Sequence, residues 1–420
     1  MRNTNYFRNK KVTIVGLARS GVSCANLLYD LGALVSITDN NDNQTIRENA
    51  TRLKSKEIKI ELGKHSREFI KDRDFVVVSP GVADTALPFV WAKELRIPLI
   101  SEIEVAWVLC PATVIAVTGS NGKTTVTTLI GKMLEASAKK VFVCGNIGRP
   151  FTGELTKMKE GDFVSLEISS FQLETIRTFK PKIALILNIT TNHLDRYKSM
   201  QEYIQAKKRI YMNQDSSDYL VLNYNDPILK ELSKEAKARL EFFSEEGELN
   251  PNQAAVLTVA SILGIDRQLC LDVFADFKGI EHRMEVVAEK DGVKFINDSK
   301  ATTVESAVWA FKNILEPIIW IAGGRDKGID YRIIGELARK KVKKAILIGE
   351  AKEKIKEAFG DILSVEDALT LEEAVKNAYS CACPGDCVLL SPMCSSYDMF
   401  SDYEERGRVF KKAVLELLEL

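Results

Sequence analysis

The amino-acid sequence predicts an α/β protein of three domains in series, each built on a mainly parallel sheet. Short apolar runs typical of strands alternate with helical patterns along the chain, and this alternation indicates parallel strands covered by helices. The chain has 420 residues, enough for roughly two to three domains that each bury a core. Hydrophobic residues make up 45% and charged residues 28%, a balance that excludes disordered and fibrous proteins.

Residues 1–110 are predicted to form a Rossmann-like domain. A helical pattern begins at Gly21, and strands are predicted at residues 12–15, 34–38, 58–62, 75–79 and 97–100. The glycine loop of residues 16–21 follows the first strand, and Asp39 ends the second, as an acid that binds a ribose does. Ala18 stands where a dinucleotide fingerprint has its second glycine, which argues against NAD. These residues alone support a nucleotide loop and a bare structural turn equally.

Residues 111–279 are predicted to form a central ATPase domain of the P-loop type. Strands are predicted at residues 113–118, 141–144, 163–168, 183–189 and 219–222, with two helical stretches within residues 252–277. The glycine-rich loop of residues 118–125 joins the first of these strands to a helical pattern, so its N–H groups and the helix dipole can surround phosphate. Lys123 would then reach the β- and γ-phosphates, and the Thr124 hydroxyl would bind Mg²⁺.

The P-loop pattern is incomplete, because Val117 occupies the place of its first glycine. The alternative is an ordinary strand-to-helix turn with a surface lysine. A strand on one side and a helix on the other favour the nucleotide loop.

Glu167 and His193 come at the ends of two further predicted strands of this domain. Open α/β sheets bind their ligands at the carboxyl ends of the strands. A carboxylate there suits Mg²⁺, and a neutral imidazole can add a ligand. Taken singly, each residue type is more often a hydrogen-bonded loop residue, so both interpretations stay open.

Residues 280–420 are predicted to form a second Rossmann-like domain. Strands are predicted at residues 294–297, 318–322, 345–348 and 388–390, and a helix is predicted at residues 403–418. The C-x-C-x₃-C run of residues 381–387 lacks the paired spacing of a zinc site, and we interpret it as a turn before a buried strand.

The charge balance and the cysteines point to a cytoplasmic, soluble protein. Lys and Arg number 58, as do Asp and Glu, so no general field attracts nucleic acid. The eight cysteines are scattered, which is typical of a reducing compartment. The N-terminal residues lack the apolar stretch of a signal peptide, and no run is long enough for membrane insertion. We expect a monomer that acts on small molecules.

Several of these segments together resemble the Mur ligases, the ATP-dependent amide-forming enzymes of bacterial cell-wall (peptidoglycan) precursor synthesis. The shared segments are residues 118–125, 167–174, 188–197 and 279–283, and the resemblance extends over essentially the whole chain. Residues 297–303 and 390–398 resemble the branch that adds D-glutamate to UDP-N-acetylmuramoyl-L-alanine. The resemblance implies that ATP converts the substrate carboxylate to an acyl phosphate, that the D-glutamate amine attacks it, and that ADP and phosphate are released.

The resemblance also implies roles for individual residues, with ATP and two Mg²⁺ ions as cofactors. For ATP they are Gly119, Ser120, Asn121, Gly122, Lys123, Thr124, Thr125, Asn252 and Arg283. For the metal ions they are Thr124, Glu167, His193 and Lys207, the last as a carbamylated lysine. For the UDP substrate they are Gly16, Ala18, Arg19, Ser20, Asp39, Ser79, Pro80, Gly81 and Asn146. For D-glutamate they are Lys300, Thr302, Lys327, Ser396 and Tyr403, while Asp298 faces the ribose or the reaction centre. The implied catalytic residues are Lys123, His193, Lys207, Asp298 and Lys300.

Two of these assignments depend on the family alone. Without the resemblance, Lys207 is a solvated residue on a helix face, and Lys208 is equally eligible. Relatives read His-Asn-x-x-Asn where this chain has residues 249–252, so Asn252 is placed at the adenine by position only.

Three other functions account for part of the sequence. A nicotinamide oxidoreductase would explain the first glycine loop but not residues 118–125. A GTPase-type switch would need an Asn-Lys-x-Asp segment, which the chain lacks. A folylpolyglutamate synthase of the same superfamily is disfavoured by residues 298–303 and by the UDP-type first domain.

Overall fold

The computed structural model describes residues 1–82, 84–190, 197, 199–245, 247, 249–326, 328 and 330–419, and of Glu305 it describes the backbone only. The chain divides into two compact units, Met1–Phe277 and Lys278–Leu420. The first unit contains two sheets and the second contains one.

The first sheet has five parallel strands in the order β3-β2-β1-β4-β5. The strands are β1 (Lys11–Val15), β2 (Leu34–Asp39), β3 (Lys59–Leu62), β4 (Phe75–Val78) and β5 (Leu99–Ser101). The helices are α1 (Arg19–Asp30), α2 (Gln44–Thr51), α3 (Leu87–Glu94) and α4 (Glu102–Leu109). The strand order reverses between β1 and β4, and such a switch point opens a crevice at the carboxyl ends of the strands.

The second sheet has six parallel strands in the order β11-β10-β9-β6-β8-β7. The strands are β6 (Thr113–Thr118), β7 (Val141–Gly145), β8 (Phe163–Glu167), β9 (Ile183–Ile186), β10 (Tyr219–Asn223) and β11 (Arg239–Phe243). The helices are α5 (Lys123–Ala136), α6 (Phe151–Glu154), α7 (Ser170–Leu173), α8 (Met200–Lys208), α9 (Pro227–Ser233), α10 (Pro251–Leu263) and α11 (Arg267–Asp276). One apolar core cluster continues from the first sheet into this one, from Phe7 to Ala238.

The third sheet has six strands in the order β12-β13-β17-β14-β15-β16, and β12 alone is antiparallel to its neighbour. The strands are β12 (Glu285–Lys290), β13 (Val293–Asn297), β14 (Ile318–Gly323), β15 (Val342–Ile348), β16 (Ser364–Asp367) and β17 (Cys387–Leu390). The helices are α12 (Val304–Asn313), α13 (Gly335–Lys341), α14 (Lys352–Phe359), α15 (Leu371–Cys381) and α16 (Tyr403–Glu419).

The predicted α/β class with mainly parallel sheets is confirmed. The sequence pattern does not predict β11, β12 and β16, which lie at sheet edges, where a strand needs no continuous apolar run. Four of the five residues of β11 are exposed. The run of residues 381–387 is, as interpreted, a turn that leads into the buried strand β17, and all eight cysteines are unpaired. In the described part of the chain, every helix is too short or too polar to cross a bilayer.

Candidate active site

The glycine-rich loop of the central sheet connects β6 to α5. Gly122 adopts φ +80°, a left-handed conformation that favours glycine, and a Cβ there would overlap the Asn252 side chain. Asn252, predicted at the adenine, therefore lies directly against the glycine-rich loop. The Lys123 ammonium donates hydrogen bonds to the carbonyl oxygens of Gly119 and Ser120, both at 2.9 Å. Its charge thus lies over the loop where a phosphate would be bound.

Residues after β9 hold this loop in shape. The Asn188 side chain accepts a hydrogen bond from the Asn121 N–H (2.9 Å) and donates to the Asn121 carbonyl (3.3 Å). The Asn188 carbonyl accepts from the Ser120 N–H at 3.0 Å, and the Ser120 and Tyr203 hydroxyls are 3.1 Å apart. A side-chain amide that pairs with both the N–H and the carbonyl of one residue fixes the backbone orientation of that residue. The sequence places Asn188 in a shared segment but gives no sign of this contact.

Glu167, at the end of β8, is a buried carboxylate that is only partly satisfied. It is 2% exposed, and its Oε1 atom accepts a hydrogen bond from the Asn146 amide at 3.0 Å. Its Oε2 atom has no hydrogen-bond partner in the described part of the chain. A buried carboxylate oxygen without a donor is costly, and a bound cation would offset that cost. Glu167 and the buried Thr124 hydroxyl are oxygen ligands of the kind that Mg²⁺ prefers, so these residues fit the implied metal.

Lys207, on α8, is 1% exposed. Its ammonium donates to the Gly119 carbonyl at 2.8 Å and lies 4.7 Å from the centre of the Tyr203 ring. Burial lowers the pKa of Lys207 well below its usual value, the nearby Lys123 charge lowers it further, and Glu167 acts in the opposite direction. Lys208 instead forms an ion pair with the exposed Glu235. The structure thus distinguishes two lysines that the sequence pattern could not, because only Lys207 lies beside the glycine-rich loop.

The glycine loop of the first sheet lies between β1 and α1. A Cβ at Gly21 would overlap the Gly16 carbonyl oxygen, so the turn is tight, and the Ser79 hydroxyl lies 3.4 Å from the same oxygen. Asp39 is buried and accepts from the Leu17 N–H at 2.7 Å and from the Asn41 N–H at 2.9 Å. The predicted residues Gly16, Asp39 and Ser79 therefore meet at the carboxyl ends of β1, β2 and β4.

The rest of the predicted UDP set flanks this point. Ala18 is the N-cap of α1 without a side-chain cap, Arg19 and Ser20 form the first turn of the helix, and Pro80 and Gly81 follow β4. Asn146 lies apart from them, beside Glu167 at the end of β8.

In the second unit, Asp298 follows β13 in a buried position. Its carboxylate accepts hydrogen bonds from the Ser391 hydroxyl (3.0 Å) and the Met284 N–H (3.3 Å). Burial raises the pKa of Asp298 to about 7, although these bonds and the charge of Arg283 oppose the rise. The Lys300 ammonium lies 5.7 Å from the centre of the Tyr403 ring, so two predicted D-glutamate residues are neighbours. Thr303 caps α12, and Thr302 lies in the loop before it.

Arg406, on α16, holds two motif segments of this unit together and was not predicted. Its guanidinium donates to the Ser299 hydroxyl (3.1 Å), the Ser299 carbonyl (2.9 Å) and the Cys394 carbonyl (3.1 Å). Ser299 lies next to Lys300, and Cys394 lies two residues before Ser396. A usable signal was an arginine on the buried face of the amphipathic helix α16, one turn after Tyr403.

Two predicted residues, His193 and Lys327, lie outside the described residues. The other predicted residues lie in three groups. One group is at the glycine-rich loop of residues 118–125, one is at the glycine loop of residues 16–21, and one is in the second unit.

Three family models match the chain. They are "Mur ligase MurD-like, N-terminal domain" over residues 10–101, "Mur ligase middle domain" over residues 117–267, and "Mur ligase, glutamate ligase domain" over residues 282–394. Among curated proteins, the UDP-N-acetylmuramoylalanine–D-glutamate ligase of Thermoanaerobacter pseudethanolicus is 41% identical over 98% of this chain and 99% of its own. The enzyme of the same name from Geotalea uraniireducens is 42% identical over 97% and 98%.

Solved structures show the same fold at low identity. The UDP-N-acetylmuramate-alanine ligase MurC from Thermotoga maritima has a TM-score of 0.56 at 18% identity, covering 97% of this chain and all (100%) of its own. The MurF ligase of that organism, in complex with ADP, has a TM-score of 0.56 at 16% identity, covering 99% and 98%.

Proposed function

The chain belongs to the Mur ligase family, and we propose that it is the ATP-dependent enzyme that joins D-glutamate to UDP-N-acetylmuramoyl-L-alanine in peptidoglycan precursor synthesis. One observation carries the proposal: relatives bearing the name of that ligase are 41–42% identical along almost the whole of both chains. The cluster of Lys123, Glu167 and Lys207 around the glycine-rich loop supplies the charged groups that phosphoryl transfer needs.

In the proposed reaction, the terminal carboxylate of the L-alanyl group attacks the γ-phosphorus of ATP, giving an acyl phosphate and ADP. The D-glutamate amine then attacks the carbonyl carbon, and phosphate leaves. A free carboxylate is a poor electrophile, which is why the activation step is required. Lys123 offsets charge that develops on the transferred group, and it can do so without rearrangement because its ammonium is already held over the loop.

Mg²⁺, held by Thr124, would supply positive charge next to the phosphates when bound. We propose that a second ion is held by Glu167, His193 and Lys207. Lys207 can serve as a ligand once carbon dioxide has added to its amine, because the resulting carbamate presents oxygen atoms. Only the neutral amine reacts in this way, and the burial that lowers the pKa of Lys207 favours that form.

We propose that residues 1–110 bind the UDP end of the substrate, residues 111–279 bind ATP, and residues 280–420 bind D-glutamate. The two carboxylates of D-glutamate must be desolvated, and Lys300 and Lys327 offer cations while Thr302 and Ser396 offer hydroxyls. Tyr403 would pack against the D-glutamate side chain. Arg283 would face the nucleotide, and Asp298 would face its ribose or the reaction centre. A cytoplasmic location and a monomeric state are part of the same proposal.

The test is ADP and phosphate release by the purified protein with UDP-N-acetylmuramoyl-L-alanine and a panel of amino acids. We expect release with D-glutamate and little with L-glutamate, L-alanine or L-lysine, because two separately held carboxylates direct the amine of only one enantiomer. Equal stimulation by all four amino acids would refute the specificity. No release with any of them would refute the ligase itself.

A further inference from the structure

Helix α6 and the loop before it lie where the first sheet meets the central one. Helices α1 and α4, both from the first sheet, pack against α6. The loop of residues 146–150 between β7 and α6 carries Asn146, whose amide donates to Glu167. We call residues 146–150 the Asn146 loop. Because this loop leads directly into α6, contacts that fix the start of α6 also fix the end of the loop.

Thr152, in the first turn of α6, is the residue on which the two helices converge. The Thr152 N–H donates to Glu102 Oε1, on α4, at 2.6 Å. The Thr152 hydroxyl lies 2.8 Å from the hydroxyl of Ser23, on α1. Glu102 and Thr152 are both buried, so the bond between them is shielded from water, whereas Ser23 is half-buried.

Backbone hydrogen bonds hold both ends of the segment between Thr152 and Asn146. The Gly153 N–H donates to the Pro150 carbonyl, and the Gly145 N–H donates to the Arg149 carbonyl, both at 3.0 Å. The Asn146 N–H donates to the Glu167 carbonyl at 2.9 Å. Gly145 has φ +106°, and a Cβ there would overlap that same Glu167 carbonyl oxygen. These hydrogen bonds connect Thr152 to Asn146 through the two ends of the loop.

We propose that Glu102 is a positioning residue that, through Thr152, sets the Asn146 loop against Glu167 and couples it to α1. The inference rests on the proposed function, in which the loop before α1 binds the UDP end of the substrate and Asn146 contacts the muramoyl part. The two ends of one substrate molecule would then contact two loops that are joined by hydrogen bonds through Thr152. Glu102 aligns the reacting end without touching substrate.

Glu104 provides a matched control on the same helix. It is equally buried, and its carboxylate accepts hydrogen bonds from the N–H groups of Arg177 (2.9 Å), Thr178 (2.7 Å) and Phe179 (3.1 Å). That segment contains none of the residues assigned to substrate or metal. Loss of Glu104 should lower stability alone, whereas loss of Glu102 should also alter kinetics.

The experiment compares Glu102→Ala, Glu102→Gln, Thr152→Val and Glu104→Ala by steady-state kinetics, with urea denaturation of each. For Glu102→Ala we expect kcat/KM for the UDP substrate to fall roughly tenfold, with KM for ATP little changed. Glu102→Gln should recover most of the loss, because its amide oxygen can still accept from the Thr152 N–H. Thr152→Val keeps that N–H but loses the hydroxyl, which contacts both Ser23 and Glu102, so a smaller fall in the same parameter is expected. If Glu102→Ala does not fold, the kinetics of Thr152→Val test the proposal instead.

A double-mutant cycle tests whether the effect passes through Asn146. In an Asn146→Ala background, Thr152→Val should produce no further fall in kcat/KM, because the group it positions is gone. Additive effects overturn the inference, and so does an unchanged kcat/KM in folded Glu102→Ala and Thr152→Val. A fall of the same size in Glu104→Ala also overturns it. A wild-type protein that is inactive with D-glutamate refutes the proposed function and the inference together, whereas active wild type with unaltered variants refutes the inference alone.

Discussion

The two glycine loops of the first unit share a strand-loop-helix geometry but differ in where charge is buried. At the loop of residues 118–125, two lysines are held against the loop carbonyls, and a buried carboxylate, Glu167, has an unpartnered oxygen. At the loop of residues 16–21, the buried charge is Asp39, which is satisfied by backbone N–H groups, and Arg19 is exposed. Under the proposed function, the first arrangement would place charge beside a reacting group, whereas the second would keep a binding loop in shape. A strand-loop-helix turn thus indicates an anion site, and the buried side chains around it indicate whether chemistry follows.

Among the variants that test this difference between the two loops, Lys123→Ala should have the largest effect on kcat. Removing a charge held over the proposed phosphate site should lower kcat on the order of 10²-fold or more, with the fold intact. Arg19→Ala, at the exposed cation of the other loop, is the control and should leave kcat near the wild-type value. Phosphate release and circular dichroism measure the two properties. Near-normal turnover in folded Lys123→Ala would show that the two loops do not differ as proposed.

Lys207→Ala should be nearly inactive, and short carboxylates such as formate should restore part of the activity by replacing the oxygens of the proposed carbamate. Lys208→Ala, next to it on α8, loses an exposed ion pair, which contributes little, and should stay active. The measurement is phosphate release with and without added carboxylate. Equal loss at both positions would contradict the assignment of Lys207.

Asp39→Ala should raise KM for the UDP substrate on the order of tenfold while KM for ATP changes little. The carboxylate fixes the Leu17 N–H at 2.7 Å, and without it the loop loses its shape. Asp39→Asn keeps an oxygen that can accept a hydrogen bond, so its KM for the UDP substrate should lie between those of the wild type and Asp39→Ala. A rise in KM for ATP of the same size would mean that the two loops are not independent.

Asp298→Asn extends the comparison to a buried acid that is hydrogen-bonded yet has a raised pKa of about 7. Because the native pKa lies above that of the unfolded chain, the native state holds more protons between about pH 4 and pH 7. Stability should therefore fall as pH rises through that window and stay level above it. Asp298→Asn has no carboxyl group that titrates at this position. The decrease in the free energy of unfolding across this pH range should therefore be smaller in the variant, by on the order of a few kcal/mol. Urea denaturation at pH 5 and pH 8 measures it, and parallel pH dependence in both proteins would contradict the assignment.

The alternation of strands and helices was readable from the sequence because the central strands are buried on both faces. The glycine-rich loop at residues 118–125 was found for a similar reason, since its motif and its flanking elements are contiguous in the chain. Strand β11 was missed because an exposed edge strand carries no apolar run.

The sequence pattern did not predict which individual polar side chains are buried. Lys207 and Lys208 follow each other on α8, and the helical pattern does not say which one meets Gly119, which is 88 positions away in sequence. Glu102 bonds a partner 50 positions away, and no local signal marks it. For Arg406 the helical pattern of α16 indicates burial, but it does not identify Ser299, 107 positions away, as the partner. Such contacts are set by which strands become neighbours, and the pattern of each segment alone does not determine that.

The apolar core that continues from Phe7 to Ala238 also has a consequence for how such enzymes can be recombined. Residues from Val293 to Val414 form cores of their own. Exchange of residues 278–420 with those of a relative that uses another amino acid would leave each apolar cluster whole. Exchange at residue 110 would instead place two independently evolved surfaces inside one core. Gene fusions between family members should therefore be tolerated at the later boundary and rejected at the earlier one.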